Sequence, residues 1–173
     1  MKEKRIYEKE QHENRTMVQL LSFRQGREIY AIKIHSVREV IDSIAITPIP
    51  LVPLYIKGVI NLRGNIIPVV DLNARFYGDK GEIIKTTSII VIEVPFEEEL
   101  VTIGLMIDAV KEVLMFPEEE IDPTPDFGTN IRTDYISGVA RHEDNYLIIL
   151  NVNSVLDIAE LSEFTCEAAI VGE

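Results

Sequence analysis

Tyr55-Ile56-Lys57-Gly58-Val59 returns eighty residues later as Tyr135-Ile136-Ser137-Gly138-Val139, and the likeness runs on through Phe76 and Leu156. In that register Ile60 falls on Ala140, Asn65 on Asn145, Ile66-Ile67 on Tyr146-Leu147, Val69-Val70 on Ile149-Leu150 and Leu72 on Val152. Upstream, at a separation of 73, Ile34-His35-Ser36-Val37-Arg38-Glu39-Val40-Ile41 matches Ile107-Asp108-Ala109-Val110-Lys111-Glu112-Val113-Leu114. A chain written twice on one plan folds as two similar modules. Positions shared by the halves serve the common fold, and positions at which they part are released for a site. The sharpest parting is Arg63-Gly64 against Glu143-Asp144.

Each half reads as short strands. Val18 to Phe23 and Glu28 to Ile34 are aliphatic and β-branched around Gln25-Gly26, the composition of a hairpin. Ser36-Val37-Arg38-Glu39 has capping-box spacing, which predicts one or two helical turns with the next strand starting near Val40. Pro48, Pro50 and Pro53 exclude regular structure from the crossing segment that follows. Gly58 to Leu62 and Ile66 to Asp71 form a second hairpin with Arg63-Gly64-Asn65 at its tip. In the second half, Ser88 to Val94, Leu100 to Ile107 and Val110 to Phe116 repeat the strands, and a last hairpin turns near Glu143-Asp144-Asn145. Asn153-Ser154 is read as the cap of a closing helix, about 153–161.

Many short strands with brief helices predict a mainly β protein built as two similar five-stranded barrels, which also removes most free sheet edges. The expected organisation is a charged, disordered arm over 1–16, one domain over 17–161 and a tail over 162–173. Within the domain, the first barrel is expected over about 17–80 and the second over about 86–155. Gly58 and Gly138 hold equivalent places, read as strand bends or bulges, with close approach of a partner to the backbone as the alternative.

Composition closes off several functions. Formal net charge is −12, and the acidic runs Glu97-Glu98-Glu99 and Glu118-Glu119-Glu120 offer nothing that would neutralise a phosphate backbone. With 7% aromatic residues and no Trp, a nucleic-acid-binding barrel is a poor alternative. His12, His35 and His142 are scattered and Cys166 is the single cysteine, so neither a metal site nor a disulfide is expected. No stretch reaches the roughly 18 apolar residues of a membrane helix, and a cytoplasmic setting is expected. No dinucleotide or P-loop fingerprint occurs, and Gly78-Asp79-Lys80-Gly81 reads as a turn. Asp108 and Asp71 read as helix caps, so no catalytic set, no enzyme activity and no cofactor are expected.

Gly58-Val59-Ile60-Asn61-Leu62-Arg63-Gly64, followed by Pro68-Val69-Val70-Asp71-Leu72, resembles the hallmark segment of the CheW-like adaptors of bacterial chemotaxis. Val37-Arg38-Glu39-Val40 and Pro125-Asp126-Phe127 leading to Tyr135-Ile136-Ser137-Gly138 agree, and the resemblance covers about 17–158. It implies two SH3-like barrels and a scaffold without catalysis, one that couples the cytoplasmic tips of methyl-accepting chemoreceptors to the regulatory domain of the histidine kinase CheA. It also implies recruitment to membrane receptor arrays without membrane insertion, and receptor docking near the junction between barrels. An adaptor of a related chemosensory pathway, controlling pili or a second messenger, fits the same residues. Carried over by motif, the receptor contacts are Arg63, Asn61 and Gly64, with Val37 and Glu39 nearby; no kinase contact is identified. A bond to its own turn for Asn61, and helix packing for Val37, stand beside those roles.

Overall fold

The computed structural model describes residues 16–42, 45–123 and 131–162. Of the expectations above, His12, Cys166, Pro125-Asp126-Phe127, most of the arm and most of the tail lie outside those residues.

The order of elements repeats, as the sequence does. The first half contributes β1 (Met17–Gln25), β2 (Glu28–Lys33), a single 3-10 turn (Ile34–Ser36), β3 (Val37–Ile41), β4 (Ile56–Leu62), β5 (Asn65–Asp71) and α1 (Leu72–Tyr77). The second contributes β6 (Ser88–Phe96), β7 (Glu99–Ile107), β8 (Ala109–Pro117), the 3-10 turns Glu118–Glu120 and Thr133–Tyr135, β9 (Ile136–His142), β10 (Asn145–Leu150) and α2 (Val152–Val155). Two five-stranded sheets result, ordered β8-β1-β2-β10-β9 and β3-β6-β7-β5-β4. We call them barrel 1 and barrel 2.

The two β modules are present, but they are not consecutive stretches of chain. Barrel 1 takes β1 and β2 from the first half and the other three strands from the second, and barrel 2 does the converse. This corrects the expected division into about 17–80 and about 86–155. The cause lies at Ile34–Ser36, where the 3-10 turn carries β3 out of the sheet of β2 to pair with β6, Val40 opposite Ile90. The exchange keeps the register of the repeat. The parallel pair Ala31–Ile149 in barrel 1 is matched by Gly104–Val69 in barrel 2.

Each sheet closes on itself by one bridge. Thr47, beyond β3, exchanges two 2.9 Å backbone bonds with Val59 of β4, and Asp122, beyond β8, exchanges two of 2.8 Å with Val139 of β9. These bridges explain the paired glycines. A Cβ on Gly58, whose φ is +153°, would lie 2.2 Å from the Thr47 carbonyl oxygen, so a side chain there is excluded by the chain's own crossing segment.

Runs such as Leu147-Ile148-Ile149-Leu150 do not alternate because both faces are buried. One face fills a barrel: Leu20, Ala31, Phe116, Ala140, Leu147 and Ile149 in barrel 1, and Ile60, Ile67, Val69, Ile89, Val91 and Met106 in barrel 2. Six buried residues make a small core for a unit of this size. The opposite faces, with Leu21, Tyr30, Ile32, Ile90, Ile103 and Leu105 among them, form the largest apolar cluster, shared by both barrels. The two barrels are therefore held against each other by a common apolar layer.

Three local expectations change. Glu39 does not close a capping box, because Val37 already begins β3. Asp108 caps no helix: β8 starts at the next residue, and the carboxylate instead accepts the Gly26 N–H at 2.9 Å, 3.7 Å from Arg24. The cap of α2 is Asn151 rather than Asn153-Ser154, with a separate helical turn from Ile158 whose first carboxylate, Asp157, accepts the Glu160 N–H.

Candidate functional site

The tip of the β4–β5 hairpin is a two-residue turn with Arg63 at φ +52° and Gly64 at φ +85°. Left-handed backbone at both positions matches the twist of the flanking strands, and a non-glycine residue accepts it at some cost. Asn61 holds the turn, its Oδ1 accepting the Gly64 N–H at 2.9 Å. That is the local bond its position suggested, and it sets the direction in which Arg63 leaves the backbone.

Barrel closure brings β3 alongside this hairpin. Both terminal nitrogens of Arg63 donate to the Glu39 carboxylate, at 2.8 and 2.9 Å, a two-pronged pair of fixed geometry. The hydrogen bond from Arg63 holds the Glu39 carboxyl below the usual carboxylate range, and Glu39 raises Arg63 in turn. Glu39 is the covered partner, 25% exposed at its side chain against 67% for Arg63. A register shift between Val37 and Glu39 re-aims β3: Arg38 reaches Glu93 at 3.1 Å, and Val37, half-buried, packs on the shared core. The five expected residues thus fall on two neighbouring elements, Arg63, Asn61 and Gly64 at the turn and Val37 and Glu39 on β3. The direct Glu39–Arg63 pair was not evident from the residues, since it joins positions 24 apart across the barrel closure.

The junction between barrels carries a second polar set that sequence reasoning missed. The Arg75 guanidinium lies 4.6 Å from the Tyr55 ring centroid and 5.5 Å from that of Tyr135, and its Nε donates to the Val155 carbonyl at 2.7 Å. The Tyr55 hydroxyl donates to the Glu160 carboxylate, and burial, with that bond, raises the Tyr55 pKa. Beside it, the Tyr30 and Tyr77 hydroxyls share a 2.8 Å bond, and burial raises both. The available signal was the recurrence of Tyr55 as Tyr135, an aromatic residue kept in both halves. Among the described residues no group of His, Cys, Asp and Glu could hold a metal ion, and no helix is long and apolar enough to cross a membrane.

Residues 19–160 match the model of the CheW-like domain. The chain belongs to the CheW-like domain family. It is 31% identical to the chemotaxis protein CheW of Treponema pallidum over 87% of this chain and 88% of that one. To the chemotaxis protein CheW of Rhizobium meliloti it is 33% identical, over 82% and 89%. The crystal structure of the scaffolding protein TtCheW from Thermoanaerobacter tengcongensis superposes with a TM-score of 0.73 at 36% identity, covering 84% of this chain and 92% of the other. Membership of the CheW-like family over most of the chain supports a non-enzymatic scaffold or coupling role in chemotaxis signal transduction, with partners among chemotaxis signalling proteins.

Proposed function

We propose that this chain couples the cytoplasmic tips of methyl-accepting chemoreceptors to the regulatory domain of the kinase CheA, working in the cytoplasm beside membrane receptor arrays. We assign receptor contact to the β4–β5 tip and β3, with Arg63 as the anchor, Asn61 and Gly64 shaping its turn, Glu39 orienting it and Val37 supplying an apolar flank.

The observation that carries this reading is the posture of Arg63. Its guanidinium is clamped by Glu39 yet remains 67% exposed at the side chain. Much of the ordering cost of a long side chain is thereby met before binding, and its remaining N–H groups are left for a partner's carboxylates or carbonyls. The acidic Glu143-Asp144 at the equivalent turn makes that presentation specific to one barrel.

The test is Arg63→Glu, measured by circular dichroism melting and by capture on receptor fragments and on the kinase regulatory domain. The melt should change little, because the site is exposed. Receptor capture should weaken by roughly thirtyfold, the equivalent of about 2 kcal/mol at an interface anchor, while kinase capture persists. Undiminished receptor capture by the folded variant refutes the assignment.

A further inference from the structure

The turn equivalent to Arg63-Gly64 lies at the mouth of barrel 1, and its chemistry is inverted. Shifting by 80 carries Arg63 onto Glu143, whose φ of +55° repeats the +52° of Arg63. Shifting by 73 carries Glu39 onto Glu112. Barrel 1 thus keeps the carboxylate on the strand and lacks the guanidinium at the turn. In place of that guanidinium, the His142 imidazole stands 3.5 Å from Glu112 and 3.9 Å from Glu143. The Glu112 side chain is 61% exposed, against 25% for Glu39 under its arginine.

A cavity of about 210 Å³ opens at this mouth. Ile29, Leu114 and Leu147 give it an apolar lining, and Glu112, His142 and Tyr146 add polar and aromatic groups. That combination matches one side chain well. Arginine carries an apolar stem that packs on aliphatic groups, a planar head that lies against aromatic rings, and a charge that pairs with carboxylates. The carboxylates of Glu112 and Glu143 outnumber the Lys111 ammonium, which also lines the cavity, and so favour a cation.

We propose that the mouth of barrel 1 receives an arginine side chain presented by a protein partner, seated on Glu112 as Arg63 is seated on Glu39. The site is on the other barrel from the Arg63 tip and stands independently of the receptor assignment.

The experiment is an NMR titration of the full chain with Nα-acetyl-arginine amide and, separately, with the uncharged isostere Nα-acetyl-citrulline amide. Saturable shifts of the His142 ring and the Glu112 and Tyr146 amides are expected with arginine alone. Glu112→Gln should weaken them about fivefold, the usual scale of a partly exposed ion pair. This variant retains the backbone bonds between Glu112 and the Ser22 hydroxyl, at 2.8 and 3.1 Å, and a thermal melt verifies that it folds. Glu93→Gln, at a half-buried carboxylate paired with Arg38 on barrel 2, should leave the titration unchanged. Equal shifts with citrulline, no saturable shift with arginine, unaltered affinity in Glu112→Gln, or equal weakening in Glu93→Gln would each overturn the proposal.

Discussion

Asp71 is fully buried and spends both carboxylate oxygens on backbone. Oδ1 accepts from Asn73 and Ala74 at 3.0 and 3.3 Å, capping α1, and Oδ2 accepts the Gly81 N–H at 2.7 Å. The first role was legible, because an aspartate before a short helical pattern caps it and Asn151 does so in the other half. The second was not, because the Gly81 bond depends on how the loop after α1 returns. Asp71→Asn separates the two. An amide keeps one acceptor, so the cap survives while an NH2 group meets the Gly81 N–H, and the expected loss is about 1–3 kcal/mol in a urea melt. Stability equal to wild type would show that the loop bond contributes nothing. The same limit applies to Arg63 and Glu39. The family motif named both, but their pairing depends on barrel closure, which local spacing does not report.

Hairpins were the most legible elements. Gln25-Gly26, Arg63-Gly64 and Glu143-Asp144 each separate apolar runs, and each joins an antiparallel pair in the structure. After β2 a helical turn does form, at Ile34–Ser36, but serine-to-glutamate spacing placed it too late and delayed the strand to Val40; after β7 no helical turn forms, because a lone aspartate also fits a cap. There, pairing of β3 with β6 and of β8 with β1 overrides the local preference. The glycines at the closure bridges yield an ordered prediction. Gly58→Ala sets a methyl group 2.2 Å from the Thr47 carbonyl oxygen, fixed backbone, at a φ that L-residues avoid, whereas Gly138→Ala meets the Ile121 Cγ2 methyl at 2.6 Å and backbone, the Asp122 carbonyl oxygen, only at 3.3 Å. Gly58→Ala should cost about 3 kcal/mol or more and Gly138→Ala clearly less, read from paired thermal melts. The reverse order would mean that barrel 1 is the more tightly closed.

For the whole molecule, the repeat announced two modules without saying which copies of each strand would meet. Either sheet offers β3 an equivalent edge, and the choice depends on the three-residue turn at Ile34–Ser36. Since each barrel draws strands from both halves, separately produced fragments 1–84 and 85–173 should each lack a cooperative melt and dispersed amide signals. Mixing them should restore both. A fragment that folds alone would contradict the exchange. The shared apolar layer points the same way, because neither small barrel interior is large enough to stand without it.

The strand exchange also bears on how the protein is made. The β1–β2 hairpin leaves the ribosome early, yet its neighbour β10 begins only at Asn145. At roughly 5–20 residues per second the wait is on the order of ten seconds, during which strand edges and apolar faces stay open to chaperones and proteases. A product truncated midway is therefore not half of a scaffold but an unfinished chain, short of strands that both sheets require.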